Sequence, residues 1–179
     1  MHRRWLGLLA AFVGGLIFLP LVLLALALLG WLPSDSVSAP PGWEEEVGER
    51  ALDAALEHRS DDVANPIAPG DEAALTAGMT LYRENCAGCH GGVRGPSAWG
   101  SAGFYPRVPQ FWQEHGHEHL TPAEAFVAVR DGIRYSGMGA WRGTLSEPEM
   151  WQVANFVSRM HALPPRVDAQ WRAGPAAEE

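Results

Sequence analysis

Cys86-Ala87-Gly88-Cys89-His90 constrains this chain more than any other stretch, because it holds both cysteines of the 179-residue sequence and places an imidazole directly after the second. Two thiols separated by two residues and followed by histidine form the C-x-x-C-H pattern of covalent c-type haem attachment. The spacer sets the sulfurs on one helical turn at the separation of the two vinyl-derived carbons, and the next ring faces the metal. A redox C-x-x-C motif and half a zinc site compete with this reading. The first should open a helix after a strand, and the second needs another Cys or His pair. Neither context is visible, so the motif predicts one covalent haem c held by Cys86 and Cys89, with His90 on the iron.

The sixth iron position needs its own donor. Met138 lies in Tyr135-Ser136-Gly137-Met138-Gly139-Ala140-Trp141, forty-eight residues after His90. Glycines on both sides suit a strap wrapped closely on a flat ring, where some residues need positive φ. Methionine alone is weak evidence, since it commonly fills cores. Met79 and Met160 fall at apolar positions of expected helices, and Met150 beside Trp151 reads as packing. Met138 is therefore the expected axial ligand.

With these residues in view, residues 71–163 resemble a class I, monohaem c-type cytochrome of the bacterial membrane-anchored kind. The resemblance rests on Cys86, Cys89 and His90 after a helix carrying Gly78 and Tyr82, on Gly137-Met138-Gly139-Ala140-Trp141, and on a closing helix with Trp151, Val153, Phe156 and Val157. It implies that the first and last helices cross near-perpendicularly, with Gly78, Tyr82 and Phe156 at the crossing. It also implies that a proline carbonyl accepts the Nδ1 proton of His90; Pro96, Pro106 and Pro109 are all open.

Trp5 to Leu32 is an almost unbroken apolar run without a charge, long enough to cross a bilayer as a helix, with Pro20 mid-run expected to kink it. His2, Arg3 and Arg4 precede it, whereas Asp35 and Glu44-Glu45-Glu46 follow, which keeps the positive end cytoplasmic and exports the haem motif. A cleaved signal peptide is the competing reading, with Ala25-Leu26-Ala27 or Ala39 as the site. The first is followed by more apolar chain and the second by proline, so residues 1–32 are read as an anchor in the inner membrane.

Residues 33–70 form an acidic, Pro-rich linker, except that Val47, Ala51, Leu52, Ala55 and Leu56 recur at near-helical spacing and predict a short helix over 43–59. Its acids disfavour anionic lipid and favour docking on the haem domain or a partner subunit. Were the linker wholly flexible, its r.m.s. reach would be about 35 Å.

Within the domain, Leu75, Gly78, Met79 and Tyr82 define the stripe of a helix from Asp71 to about Cys86. Residues 91–111 are too rich in Gly and Pro for regular structure. Thr121-Pro122-Ala123-Glu124 and Ser146-Glu147-Pro148-Glu149 each announce a helix, the first ending at Gly132 and the second near Met160. Residues 164–179 read as a flexible tail in which Trp171 alone docks. No strand pattern is convincing. The expected fold is all-α: a small helical domain wrapped on one covalent haem, preceded by one transmembrane helix.

His115, His117 and His119 at alternate positions invite a copper or zinc reading, against which stands a plain solvated loop with no thiol or fixed scaffold. Tyr105, Trp112, Trp141 and several arginines are candidate partners for haem propionates. Thirteen arginines, no lysine and twenty-one acids leave a net charge of −8, which excludes nucleic acid as a partner and favours redox proteins with a basic docking patch. The expected function is single-electron transfer at a membrane surface. The resemblance implies a quinol-oxidising complex, a periplasmic dehydrogenase or a terminal oxidase as partner. A fixed haem subunit of a larger oxidoreductase and a haem protein reactive toward gases or peroxide are the alternatives.

Overall fold

The computed structural model describes residues 2–111 and 120–174. The chain divides into two compact units, one ending at Asp35 and one beginning at Ser36. The first contains α1 (His2–Leu28), 27 residues or about 40 Å of helix, with Pro20 inside it. By length and composition Arg4–Leu28 is able to cross a membrane. The helix stops short of Leu32, because Gly30 takes a positive φ of 77° that turns the backbone out of the helix.

The second unit is built from helices, and among its described residues the only β pairing is an isolated bridge between Gly92 and Gly95. Its helices are α2 (Gly42–Ser60), α3 (Glu72–Asn85), α4 (Ala87–His90), α5 (Ala98–Ala102), α6 (Pro122–Asp131), α7 (Glu147–Ser158) and α8 (Pro165–Ala173). Asp71 caps α3 by accepting from the amide of Ala74. Full capping boxes start α6 and α7, Thr121 with Glu124 and Ser146 with Glu149, each with proline in the first turn. A capped helix start satisfies amides that would otherwise lack partners, which is why these boundaries fall where the side chains dictate.

The scaffold is the crossing of α3 over α7. A Cβ on Gly78 would lie 2.0 Å from the carbonyl oxygen of Gln152 and 3.0 Å from Cβ of Phe156, so only glycine lets the two backbones meet. Around that contact Tyr82 and Phe156 are fully buried, their rings 5.5 Å apart. Met79 and Met160 fill the same cluster. On the other side of α7, Trp151 stacks on Phe126 of α6 at 4.0 Å and 6°, above a core of Val127, Val129, Met150 and Val153.

Two segments depart from the sequence reading. Residues 165–173 are not a loose tail but a helix: Val167 and Trp171 share one face at i, i+4 and are 1% and 7% exposed, and Arg172 pairs with Asp168 on the other. Trp171 packs edge-on against Tyr82 and Phe156. Pro164 precedes the helix and Pro165 sits at its first position, where the missing N–H costs nothing. Likewise the linker is not free along its length. Leu56 of α2 is buried against the α6–α7 core, and Asn65 exchanges amide hydrogen bonds of 2.9 and 3.1 Å with Asn155 of α7, which is 1% exposed. Within the segment expected to be irregular, Ser97 caps the short helix α5.

Candidate haem site

Cys86 closes α3 and opens α4, donating its backbone N–H to the carbonyl of Tyr82, while Cys89 and His90 both donate to the Cys86 carbonyl. The Cys-Ala-Gly-Cys-His segment is thus one tight helical turn running on from α3. Both cysteines are half-buried and unbridged. Burial first, and then the neighbouring Cys89, push the Cys86 thiol up to about 12.

His90 is oriented on two sides. Its Nδ1 lies 2.9 Å from the carbonyl oxygen of Pro109, which resolves the choice left open among Pro96, Pro106 and Pro109. An imidazole donating from Nδ1 carries its lone pair on Nε2, the tautomer a metal requires. Phe111 stacks on the ring at 4.7 Å and 12°. The loop carrying Pro109 is held by Gln110, which donates to the carbonyls of Cys89 and Val108 and accepts from the amide of Ser97. Gln110 was not singled out from the sequence, where no spacing marks a lone glutamine as a loop staple. Helix α5 presses on the same turn: a Cβ on Gly100 would fall 1.8 Å from the carbonyl oxygen of Cys89. Tyr82 ties the far end by donating to the carbonyl of Gly91 at 2.8 Å.

Met138 lies in a strap between α6 and α7. Gly132 ends α6 at φ 67°, where a Cβ would strike the backbone of residues 138–140, so the chain reverses directly onto the strap. Ile133 donates to the Met138 carbonyl at 3.0 Å, Ser136 Oγ accepts from the Met138 amide at 3.1 Å, and Trp141 donates to the carbonyl of Val129 at 3.0 Å. Half-buried Met138 and Cys86 pack against the same apolar cluster. The flanking glycines differ: at Gly137 a Cβ would meet the Phe104 ring at 2.5 Å, whereas Gly139 has open space. The positive φ falls instead on Tyr135, at 62°.

Tyr105 donates to Glu44, and Arg107 donates to the carbonyls of Ser36, Val37, Ala102 and Phe104. Arg107 therefore stitches the segment before α2 to the loop after α5. Trp112, His115, His117 and His119 lie outside the described residues, and among the described residues no group of three His, Cys, Asp or Glu side chains could hold a metal ion. A cavity lined by Ile67, Asp71, Pro148 and Trp151 among others does not include the cysteine turn.

The donor set fits a haem c: two unbridged thiols on one turn, an adjacent imidazole in the ligating tautomer, and a methionine on the same apolar cluster. No solved structure matches the chain. A family model described as cytochrome C oxidase, cbb3-type, subunit III, matches residues 73–157, from the first turn of α3 to the last turn of α7. Geometry and match agree, and residues 73–157 are a c-type cytochrome domain, whose business is haem-based electron transfer.

Proposed function

We propose that this chain is a membrane-tethered monohaem cytochrome c that passes single electrons between respiratory or periplasmic redox partners. Cys86 and Cys89 would hold the haem through sulfur, the His90 imidazole and the Met138 thioether would be the chain's donors to its iron, and α1 would anchor the domain on the outer side of the inner membrane. The cofactor supplies an iron that alternates between the ferric and ferrous states. The chain supplies the rest: the Pro109 carbonyl keeps the Nδ1 proton in place, the strap presents a thioether that favours the ferrous state, and the apolar core excludes water. With the Met138 thioether held in the strap as a donor, oxygen or peroxide would have to displace it, which separates this reading from a gas sensor or peroxidase.

The observation that carries the proposal is the orientation of His90 by Pro109 directly after the cysteine pair. An optical redox titration of the wild type beside Met138→Ala tests it. The variant is expected to lose the low-spin ferric spectrum and to titrate at a lower potential. Unchanged spectra and potential would remove Met138 as the ligand.

A second reading has a specific observation behind it. The matched family is named for an oxidase subunit, and only residues 29–35 separate α1 from the segment bound by Arg107. A tether that short suits a fixed haem subunit of a larger oxidoreductase, such as a terminal oxidase, better than a swinging shuttle. Purification of the full chain in mild detergent decides between them: a stoichiometric membrane partner supports the fixed subunit, and a chain that elutes alone supports the shuttle.

A further inference from the structure

The Asp131 carboxylate ends α6 one residue before the Met138 strap begins, and three arginines converge on it. Arg130 donates at 2.7 and 3.2 Å from the same helix, Arg142 reaches it at 3.5 Å from just beyond the strap, and Arg59 pairs with it from α2. Asp131 is 14% exposed, whereas Arg130, Arg59 and Arg142 are 35%, 45% and 70% exposed. One sheltered anion therefore serves three more exposed cations.

The position of this carboxylate gives it a use. Residues 132–141 leave and re-enter the core through a narrow neck, where Trp141 donates to Val129 at 3.0 Å and Arg142 to Arg130 at 3.4 Å. Asp131 on one side of the neck and Arg142 on the other close it with charge. Arg59 brings in an element from outside the segment that matches the cytochrome family, since α2 precedes residue 73.

We propose that Asp131 is a positioning residue that keeps the Met138 strap closed, and that Arg59 makes the linker helix α2 part of that closure. A partner that displaces α2 removes one of the three cations and loosens the hold on Met138. The inference rests on the assignment of Met138 as an axial ligand. It makes α2 more than a spacer: the helix between anchor and haem domain sets how readily the sixth position opens.

The test uses the full holo chain in detergent and reads two quantities: the equilibrium binding of imidazole to the ferric haem, which must displace the methionine, and the hydrogen exchange of the Ile133 and Trp141 amides. Breaking one exposed pair should raise the imidazole association constant about two- to fivefold in Arg59→Gln and in Arg142→Gln, and removing the shared anion in Asp131→Asn about tenfold. Both amides should exchange faster in all three. Arg59→Gln added to Asp131→Asn should change nothing further, because the partner is already gone. Arg50→Gln, whose side chain pairs with Glu46 on exposed α2, is the control and should behave as wild type. Imidazole binding and exchange unchanged in Arg59→Gln and Arg142→Gln, even with lower melting temperatures, would overturn the proposal and leave Asp131 a merely structural ion pair. Failure of the ligand assignment itself is read separately, as the absence of the near-infrared methionine–iron band from the ferric wild type before any variant is made.

Discussion

Replacing Gly78 by alanine adds one methyl group at the tightest contact in the domain. That Cβ would stand 2.0 Å from the carbonyl oxygen of Gln152, whereas ordinary contact begins at 3.4 Å, so α3 and α7 must part by about 1.4 Å. The atom in the way is main chain and cannot rotate aside. Parting the helices loosens Tyr82, Phe156, Met79 and Trp171 together, and overpacking of this kind costs about 3 kcal/mol. For a unit that begins at Ser36 and runs to the end of the chain, that is a fall in Tm of roughly 6–12 °C. Gly48, inside exposed α2 with nothing within 4 Å, is the matched control, and alanine there should stabilise by about 0.5–1 kcal/mol. Thermal melts of the holo variants by far-ultraviolet circular dichroism read both. If Gly78→Ala melts within about 2 °C of Gly48→Ala, the close crossing is not what organises the domain.

Other substitutions probe other joints. Asn65→Ala leaves the buried Asn155 Oδ1 without the Asn65 donor, though its amide still reaches the Trp151 carbonyl, and should cost about 1–3 kcal/mol in urea unfolding, with Asn65→Asp failing to rescue it because the carboxylate cannot donate. A midpoint unchanged in Asn65→Ala would mean the linker end is not docked. Trp171→Ala should cost about 3 kcal/mol by removing the ring from between Tyr82, Phe156 and Arg83, and a chain ending at Leu163 should be hurt as badly; no loss in either would return α8 to a tail. Asp131 is held below the usual carboxylate range, first by the hydrogen bond from Arg130 and then by the charges of Arg130, Arg59 and Arg142. A carboxyl whose folded value is depressed contributes stability that is present above its unfolded value and lost as pH falls through the folded one, so the wild type should lose stability below about pH 4 more steeply than Asp131→Asn. Parallel acid limbs in urea midpoints would contradict this.

The helices were legible because their ends carry local chemistry. Thr121-Pro-Ala-Glu124 and Ser146-Glu-Pro-Glu149 satisfy their own amides, and the structure starts α6 and α7 where those residues stand. The cysteine segment is the helical turn that its spacing implied, and Met79, Met150 and Met160 are buried as their positions implied. Tertiary pairing was not legible. Nothing in a lone asparagine at 65 announces its partner at 155, and no local rule says that Arg59 will meet Asp131 across α2 and α6. The segment after Pro164 was misread for a related reason: its polar composition outweighs Val167 and Trp171, and two buried side chains suffice to dock a nine-residue helix when the receiving surface is aromatic. The glycines around Met138 pointed to close approach, yet one of the two serves Phe104 and the positive φ lies on Tyr135, details that depend on the path of the whole strap.

The proposed electron transfer requires a porphyrin bonded to Cys86 and Cys89. Intact-mass measurement of the full chain, produced where haem is attached to exported proteins and paired with a pyridine haemochrome spectrum, addresses that bond directly. The expected result is a mass equal to the polypeptide plus one haem, with a haemochrome of the two-thioether type that is lost in Cys86→Ala/Cys89→Ala. A mass equal to the bare polypeptide with no haemochrome would contradict it.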